Sequence, residues 1–107
     1  TVLMWNYHDD DLPAPAAPIT LTIQGLPAGR ATITHLRIDE THSNSYSAWV
    51  RMGSPQQPTP AQIAALERAS ALQPLRPARM VTIAGDGLVT EAFDLPRKSV
   101  SFVKVTW

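Results

Sequence analysis

The chain has 107 residues, 44% of them hydrophobic and 17% charged, which fits one folded domain with a single core. Nine Lys and Arg balance nine Asp and Glu, so no net field favours nucleic acid or an anionic membrane as a partner. The absence of cysteine excludes disulfides, thiolate metal sites and a cysteine nucleophile, and leaves the cellular compartment open.

The chain opens with an apolar segment and an acidic turn. Val2–Tyr7 is apolar at both alternating positions, which favours a central strand buried on both faces. His8–Asp11 is a charged turn, and Leu12–Pro18 is rich in proline and alanine. Because proline disfavours the helical conformation of the residue before it, the second segment predicts an extended loop.

Two further strands are predicted before the middle of the chain. Ile19–Gln24 alternates apolar and polar residues, and Ala31–Ile38 is rich in β-branched residues. Ile33 is out of phase with Leu36, so we expect a bulge near Thr34-His35. The short Gly/Pro turn between the two strands predicts that they form a hairpin.

A helical excursion is predicted over about residues 45–72. The turn-forming side chains of Asp39–Asn44 end the preceding strand, and Ser45 is placed to cap a short helix that runs through Met52. A second helix begins after Thr59, since Pro60 and the Gln three residues after Thr59 complete a capping box. This helix is expected to end near Leu72.

The last third of the chain predicts three strands, over Met80–Ala84, Leu88–Phe93 and Val100–Trp107. Gly85-Asp86-Gly87 predicts a hairpin between the first two of them. Short strands at this spacing predict an antiparallel β-sandwich of about six or more strands, with the helical excursion lying over an edge or an end.

The acidic turn offers oxygen and nitrogen ligands for a metal, which His35 or His42 could complete. Consecutive residues of one turn point in different directions, however, and the spaced ligands, Gly and distal Glu of a calcium loop are absent. These features favour a solvated acidic turn, and we expect neither a metal site nor a cofactor.

Asp39, Glu40 and His42 suggest acid/base chemistry, because paired carboxylates hydrolyse glycosidic bonds. The two carboxyl groups must face each other about 5 to 9 Å apart across the scissile bond, which neighbours in one turn cannot do. The pattern therefore favours side chains that bond the turn backbone and pair with Arg37 and Arg51.

The aromatic residues allow two interpretations. Aromatic side chains on strands usually belong to the core, and Trp5 and Trp107 lie in the two most apolar strands. Tyr46 and Trp49 are the better candidates for exposed rings. The alternative to a packing domain is therefore a carbohydrate-binding module that holds xylan or xylo-oligosaccharides. Its candidate residues are His8, Asp9, Asp10, Asp11, Tyr46 and Trp49.

The stretch Arg37–Leu66, RIDETHSNSYSAWVRMGSPQQPTPAQIAAL, resembles the C-terminal region of family 39 glycoside hydrolases, the β-xylosidases and the related α-L-iduronidases. The segments His42–Tyr46 and Gly53–Gln56 are more similar to the bacterial β-xylosidase branch. The likeness extends to three flanking segments, Trp5–Asp11, Leu21–Pro27 and Leu95–Val100.

The resemblance implies a β-sandwich packed beside a catalytic (β/α)₈ barrel, in which a retaining mechanism uses two glutamates, one of them in an Asn-Glu-Pro motif. The glutamates of this chain are Glu40, Glu67 and Glu91, and none follows Asn or precedes Pro. No catalytic residue can be assigned, so we expect residues 1–107 to be inactive alone.

The resemblance also sets expectations about organisation and partners. Residues 1–107 are expected to form a single accessory domain, and an opening at Thr1 without Met favours a fragment of a longer chain that holds the barrel. The expected partner is that barrel, with homo-oligomer contacts of the parent and xylo-oligosaccharides as further candidates. No apolar run approaches the roughly 20 residues that span a bilayer, and no signal-peptide pattern is present, so no membrane partner is expected.

Overall fold

A computed structural model describes all of residues 1–107 and contains seven strands and two helices. In chain order they are β1 (Val2–Asn6), β2 (Ala17–Ile23), β3 (Gly29–Ile38), α1 (Ser45–Arg51), α2 (Pro60–Ser70), β4 (Gln73–Pro74), β5 (Arg79–Ile83), β6 (Val89–Leu95) and β7 (Ser99–Thr106).

The strands form two antiparallel sheets. The larger has five strands: β1 pairs with β7, β7 with β3, and the other edge of β3 pairs with β5 along Gly29–Ile33 and with β4 at Leu36 and Arg37. The smaller sheet consists of β2 and β6. This arrangement confirms the predicted mainly β, antiparallel fold with an inserted helical excursion.

Both predicted hairpins are wrong. The Gly/Pro turn after β2 leads into β3, yet β2 pairs with β6, and the Gly85-Asp86-Gly87 turn joins β5 of one sheet to β6 of the other. Turn residues specify that the chain reverses but not which strand it meets. The two turns instead contact each other, since Leu26 donates its backbone N–H to the Gly87 oxygen at 3.1 Å. A Cβ on Gly87 would lie 2.7 Å from the Leu26 oxygen, so this approach requires glycine.

The prediction that the first strand is central is wrong as well. Strand β1 pairs only with β7 and forms an edge of the larger sheet. Its side chains alternate, with Met4 packed against the core and its neighbours Leu3 and Trp5 exposed. Strand β1 is therefore apolar on both faces, but only the face that carries Met4 is covered by the rest of the chain.

Strand β3 contains no bulge, because its register with β7 is continuous from Thr32 to Ile38. Ile33 points to the inner face of the larger sheet, where the smaller sheet covers it. Leu36 and Ile38 point to the opposite face, so the strand carries apolar residues on both sides and their phase difference needs no extra residue.

The hydrophobic core lies between the two sheets. Its eight buried members are Ala31, Ile33, Ile83, Val89, Phe93, Leu95, Val103 and Val105. The molecule is a flat slab of 57 × 32 × 15 Å with a radius of gyration of 17.1 Å. A compact chain of this length would have a radius of gyration of about 13 Å. Much of the chain therefore lies on the surface.

The helices pack against each other and lead back into the sheet at β4. Asn44, one residue before the predicted Ser45, caps α1 by accepting the Ser47 N–H at 3.0 Å. The capping box of α2 is confirmed, with Thr59 and Gln62 bonding each other's backbone. This helix ends at Ser70 rather than near Leu72, because Ala71 is already extended. Neither helix combines the length and apolar character needed to cross a membrane.

Candidate functional site

The turn after β3 uses its carboxylate to hold its own backbone. One Asp39 oxygen accepts the N–H groups of Thr41 at 2.8 Å and of His42 at 2.9 Å, and the His42 ring nitrogen Nδ1 lies 2.9 Å from the same oxygen. Arg37 pairs with the other oxygen at 3.4 Å. Burial acts to raise the pKa of Asp39, but the bonds from His42 and Thr41 outweigh it and lower the pKa overall.

A second anchor fixes the same turn to the sheet. Ser43 has a positive φ of 54°, its hydroxyl donates to the Arg37 backbone oxygen at 2.8 Å, and it accepts the Gln73 N–H at 2.7 Å. The strained residue thus ties β3 to β4. Asp39 and His42 are held as structural groups, as their spacing suggested, and Arg37 pairs with Asp39 as expected, but Arg51 forms no ion pair with this turn.

Basic residues before β7 neutralise the acidic turn. Asp10 accepts the Leu12 N–H and an Arg97 N–H, both at 3.0 Å, while Asp11 pairs with Lys98. The Leu12 bond and then Arg97 lower the pKa of Asp10, and the bond and charge of Lys98 lower that of Asp11. Sequence reasoning missed this pairing, although the adjacent Arg97 and Lys98 were its available signal.

The other two residues of the acidic turn take no part in this pairing. The His8 nitrogen Nε2 lies 2.9 Å from the Asn6 side-chain oxygen, and Asp9 is exposed. No three His, Cys, Asp or Glu side chains of the chain are grouped so that they could hold a metal ion. The turn is a charged surface loop fastened to the segment before β7.

Tyr46 and Trp49 lie on α1 with their ring centres 5.9 Å apart. The Trp49 indole N–H donates to the Pro55 backbone oxygen at 2.9 Å, which fixes the half-buried ring. Tyr46 is 69% exposed. Of the two, Tyr46 is therefore the ring available to a ligand, and Trp49 supports it.

Asp11 of the acidic turn and Tyr46 line two different cavities that share Glu40. One cavity of about 270 Å³ is lined by Asp11, Arg97 and Glu40, and another of about 280 Å³ is lined by Tyr46 and Glu40. A third, smaller depression also contains Glu40 and Arg97. The three form a shallow polar groove around Glu40, which His8, Asp9, Asp10 and Trp49 do not line.

The remaining aromatic residues correct the expectation of core packing. Trp5 is 65% exposed and Trp107 is 67% exposed, and Tyr7, two residues after Trp5, is exposed as well. Strand β1 carries hydrophobic residues on both faces, but only one face of the sheet is covered, and Trp107 follows the last residue of β7.

A buried polar cluster on β3 and β7 is a feature that the sequence did not reveal. The Arg37 Nε–H donates to Ser101 Oγ at 2.9 Å, and His35 Nε2 lies 2.9 Å from that same oxygen. Arg37 also donates to the Asp94 backbone oxygen at 2.9 Å. Burial, followed by the charges of Arg37 and Arg76, lowers the pKa of His35 to about 4. The sequence contained a clue, since His35 and Arg37 lie at alternate positions from Ile33 and therefore on the same inward face of β3.

Fold and geometry together define a mainly β, antiparallel two-sheet domain whose polar groups are engaged in turn bonds, ion pairs and one buried cluster. The chain belongs to the glycosyl hydrolases of family 39, since the profile of that family matches residues 1–87. No curated protein matches the chain.

Solved structures extend the likeness. The chain is 21% identical to the family 39 enzyme of Xanthomonas axonopodis pv. citri (TM-score 0.82, covering 96% of this chain and 22% of that one). It is 19% identical to a monomeric β-xylosidase from Caulobacter crescentus CB15 (TM-score 0.70, 96% and 23%). It is 29% identical to a bacterial orthologue of human α-L-iduronidase (TM-score 0.68, 92% and 19%). The chain thus spans about a fifth of the length of each.

Proposed function

We propose that this chain is the non-catalytic C-terminal accessory domain of a family 39 glycoside hydrolase, which supports a catalytic (β/α)₈ barrel by packing against it. The observation that carries the proposal is the combination of the family match with the share of about a fifth of each similar enzyme. The parent enzyme is a β-xylosidase that hydrolyses β-xylosides with retention of configuration.

The glutamates of the chain support a non-catalytic role. Glu91 is 2% exposed and pairs with Arg79, so water and substrate do not reach it. Glu67 lies on the exposed surface of α2, and Glu40 lies in the polar groove. A retaining glycosidase needs two carboxyl groups about 5 Å apart across the bond that breaks, and no Asn-Glu-Pro motif supplies one of them.

An assay with an aryl β-xyloside tests this role. The 107-residue chain is expected to release no more chromophore than buffer, while the parent enzyme turns the substrate over. A Glu40→Gln variant of the parent tests whether the groove contributes to catalysis, and it is expected to turn the substrate over at the rate of the unchanged parent. Turnover by the isolated chain would contradict the proposal.

A second candidate function rests on the exposure of Tyr46 in the polar groove. An exposed aromatic ring beside charged and hydroxyl groups is the kind of surface that binds sugar rings, and Glu40 and Arg51 line the same cavity. The chain would then act as a carbohydrate-binding module for xylo-oligosaccharides.

Tryptophan fluorescence distinguishes the two candidates, because Trp49 lies beside Tyr46 and would report an occupied groove. A saturable change during titration with xylo-oligosaccharides, lost in Tyr46→Ala and kept in Thr20→Ala on the far side, supports the module. An unchanged spectrum at every concentration supports the packing domain.

A further inference from the structure

The larger sheet exposes an apolar surface on the side away from the smaller sheet. The register places side chains of three strands side by side there: Leu3, Phe102 and Leu36 form one row, and Trp5, Val100 and Ile38 form the next. These six residues are called the outer apolar face. Directly opposed residues of antiparallel strands share one face of a sheet, so the six side chains are contiguous.

Nothing within residues 1–107 buries this surface. Leu3 is 53% exposed, Trp5 65% and Ile38 41%, while Phe102 and Val100 in the middle of the sheet remain partly exposed. A contiguous apolar surface rimmed by polar residues marks an interaction site in soluble proteins. Strand β1, which carries Leu3 and Trp5, also leaves its outer edge unpaired.

The smaller sheet provides the internal comparison. Its outward residues include no large apolar side chain: they are Pro18, Thr20, Thr22, Thr90, Ala92 and Asp94. The domain therefore has one ordinary solvent face, on the smaller sheet, and one apolar face, on the larger sheet. Other exposed apolar side chains, such as Leu12, Tyr46 and Ile63, lie on a loop or on the helices, whereas the outer apolar face is built from three paired strands.

We propose that the outer apolar face is the surface that docks onto the catalytic barrel of the same polypeptide, an inference that rests on the proposed accessory function. The chain spans 22% and 23% of two similar enzymes, so some four-fifths of such a polypeptide lies outside it. A tethered partner has an effective concentration of order mM, which favours it over a second copy. The six residues carry no charge, so they suit the apolar side chains of barrel helices.

Photo-crosslinking in the parent enzyme tests the proposal. A benzoylphenylalanine replaces Trp5 in one variant and Thr20, on the solvent face of the smaller sheet, in a matched control. Both positions are exposed, so neither replacement disturbs the core. Irradiation of the Trp5 variant is expected to give crosslinks within one polypeptide that map to barrel residues, and the control is expected to give none.

Each other outcome has a distinct meaning. Crosslinks from Thr20 but not from Trp5 would overturn the docking face and leave the accessory role standing. Crosslinks from neither position to the barrel would overturn the docking face, while the accessory role would be overturned separately, by turnover of an aryl β-xyloside by the isolated chain. Covalent dimers from Trp5 that increase with protein concentration would assign the face to a second copy. A Phe102→Asp parent variant gives an independent measurement: its domain is expected to unfold at a lower temperature than the barrel, whereas Thr90→Asp keeps the original transition.

Discussion

The inner face of the larger sheet buries a polar cluster beside the hydrophobic core, whereas its outer face exposes large apolar residues. On the inner face, His35, Arg37 and Ser101 are each at most 3% exposed, while on the outer face Trp5 and Leu3 are more than half exposed. The same strands supply both sets of residues, alternately inward and outward. Burial in this domain follows the position of the second sheet and not the polarity of the side chain.

The comparison shows what each face needs in order to be stable. Most inner polar groups find partners within the chain, because Ser101 bonds both His35 and Arg37 and because Arg37 reaches the Asp94 oxygen and Asp39. The exception is the His35 nitrogen Nδ1, which is buried without a hydrogen-bond partner. The outer apolar groups have no partner within residues 1–107. The inner face thus finds nearly all its partners within the chain, whereas the outer face offers apolar side chains that residues 1–107 leave exposed.

The largest expected effect is the loss of Arg37. In Arg37→Ala, Asp39 and the Asp94 oxygen lose a buried cationic partner, so the free energy of unfolding should fall by about 3 kcal/mol or more. Chemical denaturation measures the change. Arg30→Ala, an exposed arginine on the same strand, is the control and should change stability little. Equal losses in both variants would mean that the inner cluster does not stabilise the fold.

Acid is expected to weaken the inner face through His35. Its folded pKa of about 4 lies below the ordinary 6.5, so the unfolded chain binds the proton first as pH falls. The stability from neutral His35 is complete above pH 6.5 and is lost progressively toward pH 4, by at most about 3 kcal/mol.

Unfolding free energies between pH 4 and 7 test this dependence. His35→Gln should flatten the slope in that window, and His8→Gln, in the surface turn, should retain it. Acidic groups with a lowered pKa, such as Asp39, lose their contribution to stability mainly below their ordinary pKa of 3.8. Their titration therefore falls largely outside this pH window. A wild-type slope in His35→Gln would assign the pH dependence to another group.

A matched pair of valines on β7 measures the difference between the faces directly. Val103 is fully buried on the inner face, and Val100 lies in the outer apolar face. Val103→Ala should cost about 2 kcal/mol because it leaves a cavity. Val100→Ala in the isolated chain should cost less than about 1 kcal/mol. Since both changes lower β-propensity alike, the difference between the two unfolding free energies isolates burial.

The sequence predicted the elements much better than their partners. Thr59 and Gln62 located the start of α2 because capping is a local interaction, and the alternation at Ile19–Gln24 found β2 for the same reason. The strand pairings depend on contacts between distant residues. Two turns therefore suggested hairpins that do not form, and β2 pairs with β6 some 70 residues later in the register Leu21 to Glu91.

The candidate site divides in the same way. Spacing alone indicated that Asp39 and His42 hold their own turn, and the structure places them there. The adjacent Arg97 and Lys98 offered charges to the acidic turn, but their spacing in the sequence could not identify them as its partners, because the pairs join residues 87 positions apart. The sequence places Trp5 in the core because a strand that is apolar on both faces gives no sign of which face the domain covers.

The smallest change in the free energy of unfolding is expected at Trp5, and this prediction tests most directly whether the outer face is covered. In the isolated chain, Trp5→Thr keeps a residue suited to strands and removes a ring that is 65% exposed, so stability should change by no more than about 0.5 kcal/mol. Met4→Thr, one residue away and packed against the core, should cost about 1 kcal/mol or more. In the parent enzyme the proposed docking predicts that the order changes, because it places Trp5 against the barrel. Denaturation of both variants in both contexts is the measurement, and a Trp5 cost that stays the same in the parent would mean that this face remains in water.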